Sequence, residues 1–271
     1  MKQHNMIRKF FAAATACVLA LSLCACSGSA GGGSAAPSAS PSAAPSQAQS
    51  QQPESKSYKV AIIKQLDHAS LDEIANAIAA QLDQIAAAEG VTITYEITSG
   101  QNDQTTLKQL ADQAIADGVD AIIPIATTAA QIAALAAENT KTPVVYAAIS
   151  DPETAKVTGI DYVTGTSDAL NTAFIMDMML AQNPEVSKVG LLYSLSEDNS
   201  AKPIAEAKAY LDGKGIAYTE QTANTNDEVI AAAAALIAEG VDAIFTPTDN
   251  VIMAAELAIY EDLAKAGIPH Y

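Results

Sequence analysis

The residues of this chain that could do chemistry stand in small polar clusters at the ends of apolar runs. Thr127 and Thr128, Asn199 and Ser200, and Asp249 and Asn250 each fall where a helical pattern begins. The unpaired N–H groups of a helix N-terminus bind carboxylates well, and hydroxyl or amide side chains beside them add donors. Each pair is equally suited to plain N-capping, since Ser, Thr, Asp and Asn are the favoured caps. The binding reading gains weight because the same chemistry appears on matching loops of two halves of the chain. Asp151 and Asp249 add anions to loops that would face a common cleft, and either could take an ammonium group. A carboxylate site and an ammonium site together describe a zwitterion such as an amino acid.

Catalysis is the sharpest alternative, and the sequence gives it little support. There is no Gly-x-Ser-x-Gly elbow and no Walker A motif; the clustered glycines Gly28, Gly31, Gly32 and Gly33 lie in a Ser/Ala/Pro-rich stretch, outside any strand–helix turn. The histidines are His4, His68 and His270, too far apart in sequence to read as a metal motif, and all three cysteines (Cys17, Cys24, Cys26) lie at the N-terminus. Asp67 and Asp72 near His68 could do acid–base work, but a capped loop with a polar histidine is the commoner arrangement. The expectation is therefore no catalytic residue, no metal site and no cofactor.

The elements that must position these clusters form a repeat. Gly118-Val119-Asp120-Ala121-Ile122 returns as Gly240-Val241-Asp242-Ala243-Ile244, and each copy runs on into a polar loop. Upstream of the copies lie the matching apolar runs Lys59–Ile63 and Lys188–Leu192, each about one buried strand long. The order β-α-β-α-β thus occurs twice, which at so long a period means two copies of one domain. The spacing also predicts a helix striped by Leu71, Ile74, Ile78, Leu82 and Ile85, opened by a Ser70–Glu73 capping box, and helices over 168–181 and 203–213. The fold class expected is α/β, two Rossmann-like lobes with mostly parallel sheets. In such sheets ligands bind outside the carboxyl ends of the strands, so two facing lobes would enclose a cleft. Ile268 to Tyr271 begins a further strand, and an incomplete C-terminal lobe is expected.

Charge and the N-terminus bound the setting. A formal net charge of −17 with no basic cluster argues against nucleic acid and anionic membrane surfaces as partners. Lys2, Arg8 and Lys9 precede an apolar run, Phe10 to Leu23, too short for a comfortable transmembrane helix. It ends in Leu23-Cys24-Ala25-Cys26, a lipobox pattern in which Cys26 is the expected lipidated residue, since Cys24 would put bulky Leu23 at the cleavage position. Residues 1–26 read as a lipoprotein signal peptide. Residues 27–57, rich in Ser, Ala, Pro, Gly and Gln, read as a disordered linker that would reach roughly 30 Å. The N-terminal lobe is expected over 58–165 and the C-terminal lobe over 166–271.

Several motifs resemble, in order, those of the tryptophan/tyrosine-type substrate-binding family of ABC importers, lipoproteins of the type I periplasmic-binding-protein fold. They are Gln65-x-x-His68-x-x-Leu71-Asp72, Ala126-Thr127-Thr128-Ala129-Ala130-Gln131, Asp151-Pro152, Val163-Thr164-Gly165-Thr166-Ser167-Asp168, Glu197-x-Asn199-Ser200 and Pro247-Thr248-Asp249-Asn250. Thr128 stands where the family pattern has Pro, and Ala77-Ile78-Ala79-Ala80 where it has Gly and an aromatic residue. The resemblance implies that Gln65, Thr127, Thr128, Asn199, Ser200, Asp249 and Asn250 contact the ligand, with His68 and Asp151 beside them. It implies a monomer on the outer face of a bacterial membrane that closes on a small solute and delivers it to an ABC permease and its ATPase. A sensor docking on a membrane receptor would use the same cleft; a surface hydrolase or isomerase is the remaining alternative.

Overall fold

The computed structural model describes residues 56–271. The expected signal segment, Cys26 and nearly all of the expected linker lie outside the described residues.

The first half folds as β1 (Ser57–Lys64), α1 (Ala69–Glu89), β2 (Thr92–Ser99), α2 (Gln104–Ala116), β3 (Ala121–Ile125), α3 (Thr127–Ala136), β4 (Val144–Ile149) and β5 (Val163–Ser167). Its five strands form one sheet in the order β2-β1-β3-β4-β5, every neighbour parallel. The second half continues as α4 (Thr172–Gln182), β6 (Lys188–Tyr193), α5 (Asp198–Lys214), β7 (Ala217–Thr222), α6 (Asn226–Ala238), β8 (Ala243–Phe245) and α7 (Asn250–Ala266). Its sheet has the order β7-β6-β8, again parallel, and His270 adds a parallel bridge to Ile244. The fold is α/β with two parallel sheets. β5 spans the expected lobe boundary at 165/166.

The sequence repeat has a mechanical meaning. In each lobe the repeated Asp ties the start of the third strand to the start of the first. Asp120 Oδ2 accepts the Lys59 N–H at 2.8 Å, and Asp242 Oδ2 accepts the Lys188 N–H at 2.9 Å. Asp242 Oδ2 also takes the N–H and the hydroxyl of Ser187, both at 2.8 Å. The preceding Gly118 and Gly240 sit at φ 66° and 69°, the left-handed conformation that ends a helix at least cost in glycine. Val119 and Val241 then turn inward and are buried. Central strands such as β1 and β6 lie between layers of helices, so Ile62, Ile122, Leu191 and Phe245 are fully buried. Each such side chain contributes about 1.5–3 kcal/mol of apolar transfer free energy.

Three expected elements shift. The deeply buried line of α1 is Leu71-Ala75-Ala79, with Ile74, Ile78 and Leu82 on its shoulder and Ile85 left exposed. Small alanines let the helix lie close to the sheet, which the count of large apolar residues did not register. Helix α4 starts at Thr172, capped by the Asn171 side chain accepting from Phe174 N–H, and Asp168 therefore stands ahead of it. Helix α5 starts at Asp198, so Asn199 and Ser200 occupy its first turn and Pro203 lies inside it.

Removing the carboxylate of Asp242 leaves two backbone N–H groups and a hydroxyl without their acceptor. Asp242→Ala should lower stability by about 1–2 kcal/mol in a denaturant titration while leaving ligand affinity unchanged. Its hydrogen bonds hold Asp242 below the ordinary carboxylate range, so this contribution is present above that range and is lost as pH falls through the lowered value.

Candidate functional site

A cavity of about 300 Å³ lies at the carboxyl ends of the inner strands, with walls from both lobes. The loop after β1 contributes His68 and Ser70, that after β3 Ala126 and Thr127, and that after β4 Ala148 and Ser150. Asp168 and Leu170 enter after β5, Asn199 at the start of α5, and Thr246 to Thr248 with Asn250 after β8. The outer strands β2 and β7 do not reach it. Leu71, Ile74, Ile175, Met253 and Tyr271 supply an apolar wall.

Three helices start at this space without a bond from their own N-cap side chain, α1 and α3 in one lobe and α5, behind Glu197, in the other. The N-cap residues of α1 and α3 are His68 and Ala126, and neither side chain bonds the helix. Ser70 lies inside the first turn of α1, so the expected Ser70–Glu73 capping box does not form. Helices α2, α4, α6 and α7, by contrast, are capped by Asp103, Asn171, Thr225 and Asp249. The second N–H of α3, that of Thr128, is taken by Gln65 Oε1 at 3.1 Å, and Thr127 faces the cavity. Free N–H groups and two positive helix ends suit an anion. The backbone around them is strained: Ala126 stands at φ 79°, ψ 167°, a region nearly reserved for glycine, and Ala148 at φ 56°.

Behind the opposite wall lies a buried carboxylate, Glu197, not anticipated as a site residue. Its Oε2 accepts from Asn250 N and Asn250 Nδ2 at 3.0 Å each and from Asn199 Nδ2 at 3.1 Å. Its Oε1 accepts from Gln65 Nε2 at 2.7 Å, across the lobes. The Thr128 N–H fixes which way the Gln65 amide points, and Asn102 Oδ1 takes the same Nε2 at 3.1 Å. Burial, and then the neighbouring Asp249 carboxylate, push Glu197 up to about 7. Further ties join the lobes: His68 Nε2 with Asn250 Oδ1 at 3.2 Å, Ser150 Oγ with Thr248 Oγ1 at 2.7 Å, Gln131 Nε2 to Asp198 at 3.0 Å and Lys202 Nζ to Asp151 at 2.9 Å.

Of the nine expected contacts, His68, Thr127, Asn199 and Asn250 line the cavity. Gln65 and Thr128 stand one layer back, as the cross-lobe bridge. Asp249 does not line the cavity: it is fully buried, and its oxygens accept from Ser194 N and Ser200 Oγ at 2.6 Å each, Val251 N at 3.1 Å and Ile252 N at 3.2 Å. It caps α7 and anchors the loop after β6, and Ser200 is spent on it. Asp151 caps the turn at Glu153 and Thr154 and pairs with Lys202, whose bond pulls it down to about 2. The acid that does line the cavity is Asp168, and among the described residues no lysine or arginine does. Nearby Lys64 is held by Asp67 and Asp72. Asn199 Nδ2 reaches Thr248 O at 2.6 Å as well as Glu197, which leaves Asn199 Oδ1 a buried acceptor with no donor among the described residues.

Residues 59–271 match the family described as ABC transporter substrate binding protein. The chain belongs to that family. It is 29% identical over 208 residues to the Tyrosine-binding protein of Clostridioides difficile (strain R20291), covering 74% of this chain and 59% of that relative. The chain thus spans well under two thirds of that relative's length. Among solved structures it is similar to the ABC domain in complex with L-Trp from Streptococcus pneumonia, at 30% identity and a TM-score of 0.72, covering 80% of this chain and 74% of that one. It is also similar to the ligand-free, open form of a substrate binding protein with adhesive properties from Clostridium difficile, at 25% identity and a TM-score of 0.55, covering 79% and 73%. The architecture is that of the type I periplasmic-binding-protein fold, as for other members of this family.

The strained Ala126 gives a direct check on how the α3 end is held. Ala126→Gly should raise stability by about 1 kcal/mol, the relief of strain exceeding the entropic cost of glycine, as read from the denaturant midpoint.

Proposed function

We propose that this chain is the extracytoplasmic substrate-binding lipoprotein of an ABC importer, anchored through Cys26, and that it captures an amino acid between its lobes and delivers it to the permease. The ligand's carboxylate lies at the N-termini of α1 and α3, and its ammonium toward Asp168 and Asn199 Oδ1. The observation that carries this reading is the polarity of the cavity. Two uncapped helix ends stand on one side. A lining carboxylate and an orphaned buried acceptor stand among the other walls, and among the described residues no lysine or arginine lines the space. An orphaned buried acceptor is costly unless a ligand supplies the donor.

The apolar wall of Leu71, Ile74, Ile175 and Met253 with Tyr271 suits an uncharged, aromatic side chain. The named ligands of the two relatives, tyrosine and L-Trp, favour the same class. Delivery follows from hinge closure. A ligand held by both lobes stabilises the closed form by its differential affinity for that form, and the permease docks on the closed face. The lipid on Cys26 and the Ser/Ala/Pro-rich linker keep the protein at the membrane with room to reach its partner.

Calorimetric titration of the full-length protein with L-tyrosine and L-tryptophan should give saturable binding. Tyramine, which lacks the carboxylate, and 3-(4-hydroxyphenyl)propionate, which lacks the ammonium, should each bind at least about tenfold more weakly, because each leaves one polar end of the cavity unpaired. Asp168→Asn should weaken L-tyrosine by about tenfold or more, whereas Asp249→Ala should chiefly lower stability. Equal binding of all three ligands would remove the assigned polarity.

A further inference from the structure

Glu197 is a buried acid placed where the two lobes meet, and closure has to accommodate its charge. Three of its four donors come from its own lobe, Asn199 and Asn250, and only Gln65 comes from the other. Separation of the lobes would therefore withdraw one hydrogen bond and admit water to Oε1. Closing does the reverse: it strips water from a carboxylate and returns a single neutral donor. Taking an ionised carboxylate out of water is costly unless a cation or several strong donors compensate.

No cation touches it among the described residues. Asp249, on α7, is a second buried carboxylate beside it. The other charged or titratable groups on the elements around it are already engaged. Asp198 is bonded to Gln131, and Lys202 pairs with Asp151. His68 bonds Asn250 Oδ1, and Lys64 is held by Asp67 and Asp72. Asp103 caps α2. The cavity wall directly in front of Glu197 is made of Asn199 and Asn250, the two residues that hold it.

We infer that Glu197 is a positioning residue that holds the empty cleft open, and that closure requires its charge to be offset by the ligand's cationic end or by a proton. This rests on the binding reading above and adds to it a reason why closure without cargo is disfavoured while Glu197 is ionised. A ligand ammonium in front of Asn199 and Asn250 offsets the field of Glu197 and Asp249, so binding and closure become one event. A proton taken from solvent onto Glu197 does the same without ligand. The rise of Glu197 to about 7 in the closed arrangement agrees with this direction. A carboxylate that is raised on closing and ordinary when hydrated gains a proton as the lobes meet, so lower pH favours the closed form.

The test is the closed-to-open ratio of the full-length protein, read by energy transfer between dyes at the exposed positions 138 and 214, at pH 8 and pH 6, without ligand and with saturating L-tyrosine or L-tryptophan. Without ligand, the ratio in the wild type should rise by about tenfold from pH 8 to pH 6. Glu197→Gln should already be shifted toward closure at pH 8 and should lose the pH response, with circular dichroism confirming its fold. The wild-type titration needs no variant. An unchanged wild-type ratio, or the same rise in Glu197→Gln, overturns the role of Glu197 while ligand-driven closure stands. If neither amino acid closes the protein at either pH, the binding reading itself fails, and this inference with it.

Discussion

The structure turns on one hydrogen bond between lobes, from Gln65 Nε2 to Glu197 Oε1. Gln65 is fixed in its own lobe by Thr128 N–H and Asn102, and Glu197 is fixed in its lobe by Asn199 and Asn250. Those holding residues are also the cavity wall or its immediate backing, so the geometry of the cleft and the contact between lobes are set by the same atoms. A neutral donor facing a carboxylate, with no cation touching it among the described residues, is a weak reward for the desolvation it demands. That imbalance leaves the contact between the lobes easy to give up.

The same economy appears at the helix ends. Helices α2, α4, α6 and α7 have their N-termini capped by side chains, whereas α1, α3 and α5, which all start at the cavity, have no bond from their N-cap side chain. Ala126 is held in a backbone conformation that glycine would adopt without strain. Uncapped N–H groups, a strained residue and an orphaned Asn199 Oδ1 each cost stability in the unliganded protein. They are concentrated where a zwitterion would satisfy them, and the surrounding parallel sheets, with fully buried Ile62, Ile122, Leu191 and Phe245, supply the rigidity to hold them there.

Much of the scaffold was legible in the sequence because it is written in local patterns: branched apolar runs for strands, a repeated Gly-Val-Asp-Ala-Ile, and polar residues at strand ends. The repeat pointed to two α/β lobes, though its Asp turned out to stitch strands together and lies away from any ligand. The site was legible in part. Thr127, Asn199 and Asn250 fall on loops after inner strands, which the strand order places at the cavity. The acids offered for an ammonium were Asp151 and Asp249; Asp168, read as the start of a helix, was not among them. Helix α4 begins later than its apolar pattern suggests, leaving Asp168 free to line the cavity, whereas Asp249 is consumed by four donors of its own lobe. Glu197 stood in a polar loop as the first residue of the Glu197-x-Asn199-Ser200 motif, yet was not among the expected contacts. Its partner Gln65 is far away in sequence, and only the folded arrangement shows that the two meet.

Backbone amide resonances read the carboxylate site most directly. In a titration of the ¹⁵N-labelled full-length protein with L-tyrosine, the account predicts the largest shifts at the amides of Ser70, Leu71 and Thr127, with little change at the strand stitch around Gly240. Tyramine, lacking the carboxylate, should leave those amides nearly unmoved. Large shifts elsewhere with Ser70, Leu71 and Thr127 silent, or equal shifts with tyramine, would contradict the claim that the ends of α1 and α3 hold the ligand.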